Sequence, residues 1–590
     1  MILQALCGYY DRLAMNPNAD IPLLGYARTN VSSCIVIDRE GDVKAIRPLM
    51  DSTGKKPRPV QLVTPEQPKR AGQRPQPAFL CENANFIFGI CDNPLGAEYR
   101  FNASKEIHEK VLSCIEDDGA AAILRFFNKR KQGCYDIYGV DPRPLEEIGN
   151  IIFQLKGDEQ YLHDRPAIKE AWENYRARLS GKVETSQCLI SGLVAPVARL
   201  HGNISGFGQD KPTLVGFNQN SFVSYGKEQG MNAPVSETAM FKYTTALNLL
   251  VADRKHRINL NGDKIVFWAE RDAIEEELVA AMFFDMDVPS ANSGLDEDTC
   301  QMVKATASAL LGGKKPSDLK LDPGVRFYML GMSANRTRLV IRFFHTDTFG
   351  SLVERVKQHY DDIGICGRDI ARPSPYRLAR ETAVRRDSEN VAPNMEGALL
   401  RSILGGTIYP YSIFQQMMVR VRAEAAGDPK KNGGHAFSRE RVGFIKGYLN
   451  RAMRREGKNN EEMMTVALNE SERSTGYLLG RLMALLEKAQ KDAIPGVNAS
   501  IVDKYLNSAL ATPQMVFPML LTLSKKHIAK VDNYYMDRRI GELMSCFPST
   551  GFPETLNAEE QGKFMIGYYH QNQALYTKRN NGKTENTEEE

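Results

Sequence analysis

The chain has 590 residues, of which 42% are hydrophobic and 25% are charged, with a formal net charge of +4. This length suits several domains, and the hydrophobic content is enough to build their cores. Because the net charge is small, the composition excludes a uniformly basic nucleic-acid binder, so any such surface depends on local clusters of Lys and Arg. The 10 cysteines form no CxxC pair, which excludes the common zinc motifs and a disulfide framework.

The N-terminal sequence predicts a cytoplasmic protein. It lacks the basic start and the long apolar run of a signal peptide. The sequence contains no run of about 18 apolar residues, so we predict no transmembrane helix.

The first 180 residues predict a mixture of helices and strands. Apolar residues recur with a helical period over 2–14, and the alternating runs 33–38 and 43–46 flank a turn, which predicts a β-hairpin. Further patterns predict a helix over 104–130, a strand over 146–155 and a helix over 165–180.

A basic, proline-rich loop over 52–78 interrupts this region. It holds six Lys or Arg residues, six prolines and one carboxylate, Glu66. Prolines stiffen a loop, and an amide beside charged residues can hydrogen-bond a base edge while the charges meet phosphates. The alternative is an ordinary solvated loop. We predict nucleic-acid contact from Lys55, Lys56, Lys69, Arg70, Gly72, Gln73 and Arg74.

The stretch from Gly202 to Val251 joins a polar, aromatic loop to an amphipathic helix. Ser236 is the predicted N-cap of that helix. Amides, aromatic faces and glycines in the loop suit a partner with both bases and phosphates. The alternative is a buried turn system. The predicted nucleic-acid contacts are Asn218, Asn220, Tyr225, Lys227 and Asn232.

Residues 264–269 predict a strand, the runs 327–333 and 338–345 predict a hairpin, and 349–360 predicts a helix. The segment 288–323 is rich in Ser, Asn, Gly and Pro, which is typical of a loop.

The basic segment 364–394 is predicted to be a junction between domains. It is punctuated by prolines, and almost everything beyond it has a helical period. We predict an α+β fold, in which a mixed α/β nucleic-acid-binding region (1–363) precedes an all-helical bundle (395–590). The predicted helices are 395–404, 410–426, 437–456, 471–491, 498–510, 513–529, 533–546 and 556–575.

Within the predicted bundle, the segment 420–458 carries eleven Lys or Arg residues against four carboxylates. Arg451, Arg454 and Arg455 fall within about one helical turn of one another. This clustering predicts a surface near nucleic acid. The alternative is a solvated face balanced by a neighbouring subunit.

Several long segments resemble one protein family, the large subunit of the type I-C (Dvulg subtype) CRISPR Cascade complex. The most specific is SFVSYGKEQGMNAPVSE followed by YTTALNLL, within the stretch from Gly202 to Val251. The start MILQALCGYYDRLA, FYMLGMSANRTRLVIRFF at 327–344, and the C-terminal YLLGRLMALLEKAQ and QGKFMIGYYHQ are similar to that family as well.

The resemblance implies a non-enzymatic subunit of an RNA-guided complex that reads the motif flanking a DNA target. The implied partners are the CRISPR guide RNA, double-stranded target DNA, the backbone and guide-end subunits, the small helical subunit and the helicase-nuclease. No cofactor and no membrane are implied. In that family the small subunit is made by internal translation, so 463–590, beginning near Met463 and Met464, is predicted to exist as a second polypeptide.

The sequence offers little support for catalysis. His163-Asp164 is a lone dipeptide, His345 with Asp347 is more typical of an ordered turn, and Gly312–Lys315 lacks the remainder of a phosphate-binding loop. Two other classes of function stay open: a metal-dependent nuclease with an unrecognised site, and a structural scaffold that contacts only proteins.

Overall fold

The structure is a computed structural model of the full chain. It describes residues 1–16, 21–51, 58–68, 75–89, 94–129, 149–180, 184–208, 212–217, 219–260, 263–271, 274–283, 297–367, 372–428, 430–432, 434–458 and 464–581. These residues pack into two compact units. The first comprises 1–204 with 213–248, and the second comprises 205–212 with 249–590.

The first unit is built on a sheet that has six strands in its described part. The long strand β1 pairs antiparallel with β2 and β4 and parallel with β6, in the order β3-β4-β1-β6-β5. The antiparallel β1–β2 pair confirms the predicted hairpin. The six strands are β1 (Tyr26–Ile37), β2 (Val43–Pro48), β3 (Met50–Asp51), β4 (Arg58–Pro65), β5 (Cys81–Asn83) and β6 (Asn150–Leu155). A separate antiparallel pair is formed by β7 (Thr185–Gln187) and β8 (Val194–Pro196).

Helices cover the apolar face of this sheet. Ile35, Ile151 and Phe153 from the strands pack with Phe126 and Trp172 from the helices. The predicted helix over 104–130 is two helices, since Asp117 accepts a hydrogen bond from the backbone N–H of Ala120 and starts a new one. The helices are α1 (Ile2–Ala14), α2 (Ala84–Ile87), α3 (Pro94–Leu112), α4 (Asp118–Lys129), α5 (Pro166–Ser180) and α6 (Glu237–Ala252).

The second unit begins with an antiparallel sheet of order β12-β11-β10-β9. The β11–β12 pair confirms the second predicted hairpin. A helix, α8, occupies much of the segment that composition assigned to a loop, and its Val303, Ala307 and Leu310 are buried in the core. The elements are β9 (Arg257–Leu260), β10 (Asp263–Ala269), α7 (Glu275–Phe283), α8 (Glu297–Leu311), β11 (Arg326–Asn335), β12 (Arg338–Thr348) and α9 (Phe349–Ile363).

The rest of the second unit is helical, which confirms the predicted fold class. α14 and α18 form its centre, where Leu478, Leu482, Phe564 and Met565 are fully buried. The helices are α10 (Pro375–Arg380), α11 (Met395–Gly405), α12 (Tyr411–Glu424), α13 (Arg439–Arg455), α14 (Thr475–Ala493), α15 (Ile501–Ala511), α16 (Pro513–Val531), α17 (Tyr534–Met544) and α18 (Ala558–Asn581). No described helix is both long and apolar enough to cross a membrane.

The two compact units differ from the domains predicted from the sequence. The division falls near residue 248, and the basic segment 364–394 lies inside the second unit. The reason is that one apolar core runs from the β9–β12 sheet through to α18, so that Phe327 and Phe564 belong to the same cluster.

The separate synthesis of 463–590 stays a prediction. Met463 lies outside the described residues, whereas Met464 is buried. The Met464 N–H donates to Asn450 Oδ1 at 2.8 Å, and Asn450 Nδ2 donates to the Met464 carbonyl at 3.0 Å. In the full chain the start of this segment is therefore hydrogen-bonded to α13.

Candidate nucleic-acid interface

The predicted single loop over 52–78 is wrong, because strand β4 (Arg58–Pro65) divides it into two connections. The predicted contacts Lys55, Lys56, Lys69, Arg70, Gly72, Gln73 and Arg74 lie outside the described residues. The first end of the second connection, which we continue to call the basic loop, is fixed to the sheet. The Glu66 N–H donates to the carbonyl of Gly25 at 2.8 Å. Gln67 Nε2 lies 3.0 Å from the Cys81 carbonyl and 2.9 Å from Asn150 Oδ1. The loop therefore leaves from a defined point beside β5 and β6.

The second end of the loop is anchored in the core of the first unit. Phe79 is fully buried and stacks on Trp172, with ring centroids 4.8 Å apart. Leu80 has a φ of 53°, and its N–H donates to His108 Nε2 at 3.2 Å. Burial lowers the pKa of His108 to about 4, so the ring is neutral at pH 7 and Nε2 can accept this bond. Both ends of the predicted recognition loop are thus held by rigid structure.

The loop at 217–232 presents a tyrosine at the tip of a tight turn. The Lys227 N–H donates to the Ser224 carbonyl at 3.0 Å, and Tyr225 and Gly226 have φ values of 53° and 67°. Two successive positive φ values define a type I′ turn, a conformation that a bulky residue rarely adopts. Tyr225 is 98% exposed at this tip.

Asn232 holds this turn from inside. Its Oδ1 accepts from the Ser224 N–H at 3.0 Å, and its Nδ2 donates to the carbonyls of Lys227 and Gln229, each at 2.9 Å. Gly230 packs closely against the backbone of Ala198 in the same chain, and a Cβ at Gly230 would be 2.0 Å from the Ala198 carbonyl oxygen. The Asn232 amide therefore shapes the loop, and contact between Asn232 and nucleic acid stays a prediction.

Of the other predicted contacts in this loop, Asn220, Tyr225 and Lys227 are exposed, and Asn218 lies outside the described residues. Ser236 Oγ accepts from the Ala239 N–H at 3.2 Å, which confirms the predicted N-cap of α6. The loop is thus fixed at a helix start and displays an aromatic ring and a lysine.

Replacing Tyr225 with glycine is expected to leave thermal stability unchanged or raised, because glycine adopts a positive φ without strain. The same change removes the exposed ring, and losing one base stack costs about 1–3 kcal/mol. We expect Tyr225→Gly to weaken target binding or complex assembly in a gel-shift series. Tyr534→Ala, at an exposed tyrosine of α17, is the control. Unchanged binding by Tyr225→Gly would assign the turn a purely structural role.

The three predicted arginines of α13 have different surroundings. Arg451 is only 4% exposed, and its Nε donates to Asp362 Oδ2 at 2.8 Å. Its Nη1 donates to the carbonyls of Ser402 and Thr407, and its guanidinium lies 4.0 Å from the centre of the Tyr409 ring. Arg451 is therefore buried among partners of the second unit, and its contact with nucleic acid stays a prediction that this burial does not favour.

The other two arginines are more accessible. Arg454 shares the buried Asp362 carboxylate, with Nη2 2.7 Å from Oδ1, whereas Arg455 is exposed. Arg441, from the same basic segment, is fully buried and bound to Glu424 at 2.5 Å and Glu381 at 3.1 Å. Several charged residues of 420–458 therefore form buried ion pairs inside the second unit. Of Arg451, Arg454 and Arg455, the exposed one is Arg455.

The second unit also contains a cleft of about 1060 Å³ that sequence reasoning missed. We call it the arginine cleft, after its lining residues Arg377, Arg380, Arg385, Arg386 and Arg439. Four of these belong to the basic segment 364–394, where the density of arginine was a usable signal. Among the described residues, no group of three or more His, Cys, Asp or Glu side chains lies close enough together to hold a metal ion.

Comparison with known proteins identifies the family. Residues 6–576 match the family described as CRISPR-associated protein (Cas_Csd1). A search of curated proteins finds no match to the chain. Because the family match covers both compact units, the chain belongs to the Cas_Csd1 family of CRISPR-associated proteins.

Proposed function

We propose that the chain is the non-catalytic large subunit of a type I-C CRISPR Cascade complex, an RNA-guided system of antiviral defence in the cytoplasm. In this role it recognises the motif adjacent to a double-stranded DNA target, supports R-loop formation and recruits the helicase-nuclease. The observation that carries the proposal is the family match across residues 6–576.

The first unit supplies the features that support motif recognition. In RNA-guided complexes, base pairing to the guide reads the target sequence, and protein side chains read the short flanking motif. A basic loop with a glutamine at its tip suits that task, since amides bond base edges and cations bond phosphates. The fixed positions of Gln67 and Phe79 at its two ends limit the ordering that binding requires.

Gln73→Ala is expected to reduce discrimination among flanking motifs by about 1–3 kcal/mol, the cost of one lost base contact. Lys69→Ala or Arg70→Ala is expected to weaken binding to every duplex and to lower the salt slope by about 1 each. The measurement is a gel-shift series with target duplexes that differ only in the flanking motif. Gln76→Ala, at an exposed glutamine near the end of the same loop, is the matched control.

Equal motif discrimination by the wild type and by a Lys69/Arg70/Gln73/Arg74 alanine variant would refute motif reading by this loop. Cleavage of labelled duplex by the purified chain with Mg²⁺ or Mn²⁺ would instead favour a nuclease.

A further inference from the structure

The arginine cleft is open to solvent and lies entirely within the second unit. Its volume of about 1060 Å³ exceeds that of most small-molecule sites, which span about 300–1,000 Å³, and suits a segment of a polymer. One wall is formed by α10 and the turn at Val384–Arg386. The other walls come from the start of α13, from α14 and α15, and from α18 through Tyr568, Tyr569 and Asn572.

The carboxylates of the cleft are engaged by the protein itself. Glu381 and Glu424 bind the buried Arg441. Glu440 binds Arg377 at 2.7 Å, and Glu487 binds Lys491 at 2.8 Å and the Tyr568 hydroxyl at 2.6 Å. Asp503 caps α15 by accepting from the Ser500 N–H at 2.7 Å. Four of the five carboxylates are therefore paired with an Arg or Lys, whereas the bond of Asp503 is to a backbone N–H.

Three arginines of the cleft have no carboxylate partner among the described residues. Arg380 Nε donates to the Arg386 carbonyl at 2.7 Å, and Arg439 Nε donates to the Ile365 carbonyl at 3.2 Å. Arg385 is exposed and makes no hydrogen bond or ion pair within the described part of the chain. Arginine pairs with phosphate through two parallel N–H bonds, so this set favours a ligand with several phosphates.

The backbone that carries Arg385 is held in an unfavourable conformation. Arg385 and Arg386 have φ values of 58° and 54°, a region that costs a residue with a side chain about 1–3 kcal/mol. The Arg386 side chain stabilises this turn through Glu381 Oε1 at 2.7 Å and the carbonyls of Asn432 at 3.0 Å and His435 at 2.8 Å. The result is a rigid turn that directs Arg385 into the lining of the cleft.

We propose that the arginine cleft binds the phosphate backbone of a single nucleic-acid strand. Tyr376, the residue before Arg377 on α10, lies just outside the cleft lining; its ring is 42% exposed, and the Arg380 guanidinium lies 5.8 Å from the ring centre. Cations that follow a backbone and an aromatic face that stacks bases are the two components of single-strand sites. The exposed ring favours a nucleic acid over an acidic peptide. This inference rests on the proposed function in one respect, the choice of a nucleic acid as the class of ligand.

The test is fluorescence anisotropy of the full chain with labelled oligothymidine and oligouridine strands over a range of salt concentrations. Arg385→Glu is expected to weaken strand binding by about tenfold or more, since it removes one charge-assisted phosphate contact and adds a repulsion. Arg385→Gly relieves the backbone and is expected to melt at the same or a higher temperature while still binding more weakly. Comparison of the two strands identifies DNA or RNA as the ligand.

Arg336 provides the matched control. It is another exposed arginine of the second unit, with a φ of 53°, in the turn between β11 and β12. Arg336→Glu is expected to change strand binding less than about twofold, because it lies outside the cleft lining. Equal losses for Arg336→Glu and Arg385→Glu would overturn the inference, as would full binding by Arg385→Glu. Binding of labelled polyglutamate but not of either strand would overturn it in favour of an acidic peptide.

The same variants separate this inference from the proposed function. Arg385→Glu is expected to keep the wild-type discrimination among flanking motifs in duplex targets. If wild-type protein shows no motif discrimination while strand binding still depends on Arg385, the proposed function fails and the cleft assignment stands.

Discussion

Arg451→Ala is expected to lower the free energy of unfolding of the second unit by about 3–5 kcal/mol, the cost of removing one partner of a buried ion pair. The change leaves Asp362, which is 3% exposed, with Arg454 as its remaining ion-pair partner among the described residues. It also removes the donor to the carbonyls of Ser402 and Thr407. Urea unfolding followed by circular dichroism measures the loss.

Arg455→Ala is the control for this prediction. Arg455 lies on the same helix and is exposed, so its replacement is expected to change stability by no more than about 0.5 kcal/mol. Similar unfolding curves for the two variants would contradict the internal role of Arg451. If Arg451→Ala folds normally and loses only target binding, the result would support the prediction that Arg451 contacts nucleic acid.

Gly480→Ala is expected to destabilise the helical part of the second unit by about 3 kcal/mol, the upper end of overpacking costs. A Cβ at Gly480 would lie 2.0 Å from the Phe564 carbonyl oxygen and 2.7 Å from the Tyr568 nitrogen. On the facing helix, a Cβ at Gly567 would lie 2.2 Å from the Tyr477 carbonyl oxygen. Backbone atoms cannot move aside, so α14 and α18 would have to separate along their contact.

Gly541→Ala provides the comparison. Gly541 lies within α17, and a Cβ there would meet nothing within 4 Å. Alanine favours a helix over glycine by about 0.5–1 kcal/mol, so this variant is expected to melt at a higher temperature than wild type. Opposite shifts of melting temperature for the two substitutions are the predicted result. A gain in stability for Gly480→Ala would show that the helices are not in backbone contact.

The sequence was most informative where apolar periodicity was long and local. The predicted helices of the bundle agree with α11 to α18 because each buries one face in a shared core. α8 was missed because Ser, Asn, Gly and Pro around it dominated the composition, although Val303, Ala307 and Leu310 keep a helical spacing. The break between α3 and α4 depends on the cap at Asp117, which a continuous helical pattern conceals.

Sites were harder to predict because distant partners decide the role of a charge. Arg451 and Arg455 are the same residue type on one helix, and the difference between them is an aspartate 89 positions earlier in the chain. Tyr225 and Asn232 were equally plausible contacts from the sequence. In the structure the Tyr225 ring is exposed at the tip of the turn, whereas the Asn232 amide is hydrogen-bonded to the backbone of the turn. The arginine cleft likewise requires α10, α13 and α18 to meet, which only the fold provides.

The most direct test of the central claim is motif selection by the assembled complex. The chain is expressed with the other subunits of a type I-C complex and a guide RNA, and the complex is incubated with target duplexes whose flanking bases are randomised. We predict that bound duplexes are enriched for one short motif, and that a complex containing the Lys69/Arg70/Gln73/Arg74 alanine variant loses this enrichment. Equal enrichment with the variant, or assembly and motif selection in the absence of the chain, would contradict the proposal.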